Sequence, residues 1–298
     1  MPAHIKILNM VAPGIFVVLW ASGFVVARLT AGHVEPISFL AFRFPLAAVC
    51  MLALVLAFQE RSFSAREAFH AATVGFFLHA AYLSCVYWAV THGLPAGVSA
   101  LIAALQPIVT AFMAVPMLGE RVDGKHWLGL AVGIIGVALV LSPKFSMATM
   151  DGITPVTSSI GVIGMLCATI GTIYQKRFAS HLPLIPAVMW QYVGASVAVV
   201  ILAALTENFG FDGSVQAWAG LAWAVVISSV GAILTLMYLI REGAVAKVSA
   251  LIFLVPGVTA AITYLMFNEM LTFMQIIGMA VTAAAVMIVN RRPRARSA

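Results

Sequence analysis

His79 and Tyr82 stand three residues apart, a spacing that puts both side chains on one face of a helix. They lie in 70–91, a stretch without Asp, Glu, Lys or Arg, so an imidazole and a phenol share an apolar medium. Comparable groups recur elsewhere: Trp20 near the middle of one apolar run, Ser99 and Gln106 in another with the amide beside Pro107, and Ser228 with Ser229 in a third. Polar groups cut off from water need partners, and a bound solute is one such partner. A cavity with aromatic walls and one or two polar groups suits an amphiphilic solute such as an aromatic amino acid. Each residue also has a structural reading: His79 bonded to a neighbouring helix, Trp20 and Tyr82 in plain core packing.

Charge is scarce at this depth. Arg43 is the only charged residue well inside an apolar run, about 9 Å from its end at 1.5 Å per residue. It can bind a carboxylate bidentately, or hold helix-end carbonyls and snorkel. Glu120 and Glu269 end two of the runs. A carboxylate at a helix C-terminus is unfavourable alone, so each is expected to anchor to a nearby base, Arg121 for the first. None of the ten carboxylates falls near the middle of a run, which leaves proton-coupled antiport without its usual carrier. His79 is then the one side chain at depth of a type that titrates near neutral pH.

The patterns of an intramembrane enzyme are missing. The sequence has no HExxH, no GxSxG and no paired acids within an apolar run. Cys50, Cys85 and Cys167 all fall in apolar runs without metal-site or disulfide spacing. No catalytic residue, cofactor or metal is predicted, and the chain is read as not an enzyme. Rings of charge or a carbonyl filter, which would suggest a channel, are not evident either.

The elements that must position these residues follow from composition. The chain is 63% hydrophobic and 9% charged, with a mean hydropathy of +1.07, against roughly 25% charge in soluble domains. Its surface must face lipid. Ten runs are long enough to cross about 30 Å of hydrocarbon: 10–30, 37–57, 70–91, 95–118 and 125–141, then 156–178, 184–206, 217–240, 246–267 and 273–290. Each must be helical, because lipid offers the backbone no partner. The first is read as a retained helix rather than a signal peptide, since Arg28 follows its apolar stretch.

Basic residues sort by side. With a cytoplasmic N-terminus, thirteen of the sixteen Lys and Arg fall inside: Lys6, Arg61, Arg66, Arg121, Lys125, Lys176, Arg177, Arg241, Lys247, Arg291, Arg292, Arg294 and Arg296. Arg28 and Lys144 fall outside, and the acids divide evenly. This positive-inside pattern puts both termini in the cytoplasm and makes the net charge of +6 a topology signal, not a nucleic-acid footprint. Residues 291–298 form a basic cytoplasmic tail that can rest on anionic membrane lipid.

An internal repeat divides the runs. Val98-Ser99-Ala100-Leu101-Ile102 recurs as Val248-Ser249-Ala250-Leu251-Ile252. Pro107 answers Pro256 and Glu120 answers Glu269, while Pro36 and Phe42 answer Pro186 and Tyr192. Residues 1–145 and 152–292 are therefore two five-helix repeats. Five is odd, so the halves have inverted topology, a signature of secondary transporters. Pro107 and Pro256 fall near the middle of their runs. Proline lacks an N–H and clashes with the carbonyl four residues back, so the carbonyls of Ala103 and Ile252 are expected to be freed and the helices bent. Static kinks are the plain alternative to paired hinges on one cavity.

The stretches Trp20 to Phe24 (W-A-S-G-F), Pro36 to Arg43 (P-I-S-F-L-A-F-R) and Ser99 to Glu120 (S-A-L-I-A-A-L-Q-P, ending L-G-E) resemble the drug/metabolite transporter superfamily. Within it the chain is similar to the ten-helix EamA-like type and to bacterial exporters of aromatic and other neutral amino acids. The resemblance implies an all-α membrane fold in a bacterial inner membrane and alternating access to a small-molecule substrate. Small four-helix relatives that expel cationic drugs carry a glutamate in their first helix, and 10–30 has none. The reading is facilitated export or exchange of neutral, aromatic or broadly hydrophobic amino acids or related metabolites; proton-coupled efflux is the alternative. Gly129 and Gly133, with Gly278 and Thr282 at the equivalent positions, allow close helix approach. Packing within a monomer is expected, and a dimer contact is the other use of such faces.

Overall fold

The computed structural model of the chain describes residues 3–30, 32–94, 99, 102–145, 153–243, 245–267 and 272–290. They form helices α1 (Ala3–Thr30), α2 (Pro36–Ala57), α3 (65–91), α4 (Gln106–Leu118), α5 (Gly124–Phe145), α6 (Pro155–Ala179), α7 (Leu184–Thr206), α8 (Val215–Glu242), α9 (245–267) and α10 (Phe273–Asn290). Among the described residues no strand forms beyond one isolated antiparallel bridge, Val34 to Phe211. Glu269, the 291–298 tail, and most of 95–101 lie outside the described residues.

Local chemistry sets the helix ends. Ser64 accepts from the Glu67 N–H while the Glu67 carboxylate accepts from the Ser64 N–H, a capping box that opens α3. Thr154 and Thr157 do the same for α6, and Ser214 caps α8. Gly119, at φ +66°, gives α4 its left-handed stop. Among the described residues six helices, α2, α3, α5, α6, α7 and α8, are long and apolar enough to cross a membrane; the chain is a multi-pass membrane protein. The expected runs 95–118 and 246–267 are not single rods. The turn at 104–105 precedes Gln106–Leu118, and a 3-10 segment, Ala250–Leu254, precedes Val255–Phe267.

Helix pairing follows the repeat. Helices α2 and α7 pack on each other, as do α5 and α10. The contact of α1 with α8 has its counterpart in α6 with α3, and that of α1 with α9 in α6 with α4. Exchanging the halves leaves this pattern unchanged. A Cβ on Gly278 would stand 2.6 Å from the Val140 nitrogen, and one on Gly136 2.7 Å from the Thr282 methyl. Gly129, Gly136 and Gly278 are thus covered by the facing helix of this pair within the chain, while Gly133 packs on Phe253 of α9.

One face of the bundle is closed by two loops. The Asp212 N–H donates to the His33 carbonyl and the Glu35 N–H to the Gly210 carbonyl, both at 3.1 Å. Glu207 accepts from the Ile37 and Ser38 N–H groups at 2.9 and 2.6 Å and so caps α2 from the other half of the chain. Glu35 returns the contact, accepting from the Asn208 and Gly210 N–H groups at 3.0 and 2.8 Å. His33 Nδ1 lies 2.5 Å from Asp212 Oδ2. That hydrogen bond, with help from Ser214, holds the Asp212 carboxyl down at about 2.

Glu207→Ala is expected to cost about 1–2 kcal/mol through the lost cap, read as a lower unfolding midpoint in detergent. Because the Asp212 pKa is depressed on folding, its contribution is present above the ordinary carboxylate value and lost as pH falls through about 2. Asp212→Asn should flatten the stability profile in that window and lower the unfolding midpoint at neutral pH, where the wild-type contribution is fully present.

Candidate functional site

Two adjacent residues of α7 organise the interior. The Gln191 side-chain oxygen lies 3.2 Å from His79 Nε2 on α3, and its amide nitrogen donates to Gln175 Oε1 on α6 at 3.1 Å. Tyr192 stacks on the His79 ring at 4.9 Å and donates its hydroxyl to the Ser229 carbonyl on α8 at 2.6 Å. Arg43 of α2 donates from Nε to Ser229 Oγ at 2.8 Å, and its neighbour Phe44 stacks on Tyr192 at 5.8 Å. This polar knot joins five helices. Its members on α3, α6 and α8 all sit in π-helical stretches, Phe76–Ala81, Gln175–Ala179 and Ala224–Ala232. A π turn has wider i to i+5 bonding and is enriched at functional sites. Gly75 lets α3 come close, since a Cβ there would fall 1.8 Å from the Gln191 carbonyl oxygen.

Beside the knot is a small cavity. Its walls are Phe16 and Trp20 from α1, Leu78 and Tyr82 from α3, Gln106 from α4, Ala168 and Thr172 from α6, Leu236 from α8, and Val248, Ser249 and Ile252 from α9. These helices are three pairs exchanged by the repeat: α1 with α6, α3 with α8, α4 with α9. The volume is about 20 Å³, room for about one water and too small for an amino acid. Among the described residues the walls carry no charged side chain. Tyr82, Gln106 and Ser249 are each more than nine-tenths buried, and their side chains have no hydrogen-bond partner among the described residues. Thr172, by contrast, donates to the Ala168 carbonyl.

The structure thus brings Trp20, Tyr82 and Gln106 together around one cavity. His79 stands behind its wall, between Gln191 and Tyr192. Arg43 is bonded to Ser229 and lies off the cavity. Ser228 is buried with its Oγ unpartnered among the described residues; it lies against Gly23 of α1, not on the wall. Ser99 is buried away from the wall, whereas its repeat-mate Ser249 faces the cavity.

The W-A-S-G stretch divides its work. Trp20 faces the cavity, Ser22 Oγ accepts from the Trp223 ring nitrogen of α8 at 3.0 Å, and Gly23 leaves space for Ser228. Pro107 and Pro256 each occupy the second position of a new helical segment, where the missing N–H costs nothing. The Ile252 carbonyl is not freed as expected: the Val255 N–H takes it in the 3-10 turn. Gln175, Gln191 and Ser249 escaped the sequence reading. The repeat pointed to Ser249, and a glutamine inside an apolar run was the signal for Gln191.

The end of the bundle opposite the loop zip is tied across the halves by Glu120 and within the second half by Lys176 and Arg241. Glu120 Oε1 accepts from the Val245 N–H at 2.7 Å and so caps α9, a role that differs from the expected pairing with Arg121 alone. Lys176 Nζ donates to the carbonyls of Ile240, Arg241 and Gly243 at 2.8, 3.0 and 3.0 Å, neutralising the C-terminus of α8. Arg241 donates to the Ser180 and Leu182 carbonyls in the loop that follows α6.

Comparison with known proteins agrees with this architecture. The EamA-like transporter family pattern matches residues 10–142 and again 157–291. An uncharacterized transporter of Synechocystis sp. is 25% identical over 66% of this chain, which spans 64% of that protein's length. Two relatives match more fully. A protein named "probable terminal-alkyne amino-acid exporter" from Streptantibioticus cattleyicolor is 25% identical over 94% of this chain and 92% of its own. One named "probable amino-acid metabolite efflux pump" from Escherichia coli is 25% identical over 88% of each. A solved crystal structure shares the fold, with a TM-score of 0.81 at 15% identity over 95% of this chain and 96% of its own.

Replacing an unpartnered buried amide by an apolar group of similar size removes a desolvation penalty. Gln106→Leu is therefore expected to leave the unfolding midpoint unchanged or raise it. Tyr192→Phe, which strips the knot of a made bond, should lower the midpoint by the equivalent of about 1–3 kcal/mol.

Proposed function

The chain belongs to the EamA-like transporter family, and from that membership we propose that it exports neutral, aromatic or broadly hydrophobic amino acids or related metabolites across a bacterial inner membrane by alternating access. One observation carries the substrate class: three buried, uncharged polar groups without partners among the described residues, Tyr82, Gln106 and Ser249, converge on a cavity whose other walls are mostly apolar or aromatic. Unpaired groups of this kind are costly unless something binds them. An amide and a hydroxyl can donate to a carboxylate, the same groups and a phenol can accept from an ammonium, and Trp20 and Phe16 offer surface to an aromatic side chain. The names of the two fuller relatives support amino acids as the solute and export as the direction.

In this reading all ten helices cross the membrane as two inverted sets of five, 1–145 and 152–292, with both termini cytoplasmic. The zip of 33–38 with 207–214 closes the outer end. The ties of Glu120, Lys176 and Arg241 close the inner end. With both ends shut the cavity is contracted, and loading requires one set of ties to open. Helices α4 and α9, each interrupted just ahead of a proline, supply the hinges. Glu269 is the repeat-mate of Glu120 and is assigned the same anchoring role at the outer end. An uncharged wall supports facilitated transport or exchange over proton coupling.

The test is counterflow in proteoliposomes with a panel of labelled amino acids and cationic dyes. Saturable counterflow of neutral aromatic amino acids, with Gln106→Leu and Ser249→Ala each raising the half-saturation concentration about tenfold, is the expected result. Transport of dyes and of no amino acid would overturn the substrate class. Obligatory proton movement that survives His79→Gln would overturn the uncoupled mechanism.

A further inference from the structure

A second cavity lies on the flank of the bundle, away from the substrate site. It is a cleft of about 90 Å³ between α4 and α6, lined by Met113 and Met117 on one side and Ile170, Ile173, Tyr174, Phe178 and Arg177 on the other. Met117, Ile170 and Phe178 are exposed. From Ile170 to Arg177 the cleft runs about 10 Å along the helix at 1.5 Å per residue, all of it apolar but for the Tyr174 hydroxyl and the cation at the end.

Its shape is preset. The Tyr174 hydroxyl is 2.7 Å from His70 Nδ1, and the Phe178 ring stacks on His70 at 5.4 Å with planes 4° apart. The two neighbouring cations differ in employment. Lys176 is committed to three carbonyls of α8. Arg177 is exposed, rests over the Phe178 ring at 5.3 Å and, among the described residues, donates only to the Met117 carbonyl, at 3.5 Å. A guanidinium with unspent donors at the mouth of an apolar slot is complementary to a phosphate that carries an acyl chain.

We propose that this cleft binds an anionic phospholipid of the cytoplasmic leaflet, with the phosphate on Arg177 and the upper part of one acyl chain between α4 and α6. The proposal rests on the reading that α4 and α6 cross the membrane with this end inside. Helix α4 also carries Gln106 and Pro107, and Glu120 follows directly after it. A lipid seated here thus bears on the helix that must move for the cavity to open, and it couples transport to membrane composition.

Two readouts separate this proposal from the transport assignment. The first is thermal unfolding of the full chain in detergent, titrated with phosphatidylglycerol or phosphatidylcholine. The expected result is a midpoint rise with phosphatidylglycerol alone, an apparent affinity about fivefold weaker in R177Q, and a similar loss in M113W, which fills the slot but keeps the arginine. R66Q, another basic residue of that end, should respond as wild type. The second is counterflow in phosphatidylcholine vesicles with and without phosphatidylglycerol, stimulated in wild type and flat in R177Q. Absence of a phosphatidylglycerol preference in the first readout, or equal loss in R66Q, overturns the lipid site; so does an unaltered response in M113W. Failure of counterflow alone, with the thermal result intact, counts against the transport reading and leaves the lipid site standing.

Discussion

The hydrogen bonds and ring contacts of Gln191 and Tyr192 are the constraint on which the rest of the structure depends. Lipid gives helices no hydrophobic reason to associate, so specificity must come from close packing and from polar groups that only one arrangement satisfies. Here α7 presents an amide and a phenol, and α3, α6 and α8 each answer from a π-helical stretch with His79, Gln175 and Ser229. Arg43 closes the circuit from α2. The α3–α7 approach that makes these bonds possible needs Gly75 to carry no side chain.

Once five helices are fixed by the knot, the cavity becomes a place where polar groups are left over. Its walls come from helices that the knot anchors, α3, α6 and α8, and from helices it does not, α1, α4 and α9. The latter include both broken helices. The bond from the Val245 N–H to Glu120 joins these two broken helices at one end of the bundle.

Much of this was legible in the sequence, for physical reasons that can be named. Apolar runs must be helices in lipid, so helix positions followed from composition; breaks in α4 and α9 did not, because hydropathy does not register a turn that stays apolar. Trp20, Tyr82 and Gln106 were legible because aromatic and amide groups at depth stand out against alanine and leucine. His79 and Arg43 stand out just as much, yet their partners lie on helices far away in sequence, and only the fold reveals that Gln191 and Ser229 occupy them. The reciprocal caps of Glu35 and Glu207 could not be read at all, since each joins loops about 170 residues apart.

Ser99 and Ser249 sit in identical five-residue words, yet one is enclosed and the other borders the cavity. Equal sequence therefore does not give equal surroundings within a single molecule. If the halves trade poses, as the proposed alternating access requires, the unlike environments of the two serines define a sidedness. Substitution of one would be felt by solute arriving from one compartment, substitution of the other by solute arriving from the opposite one.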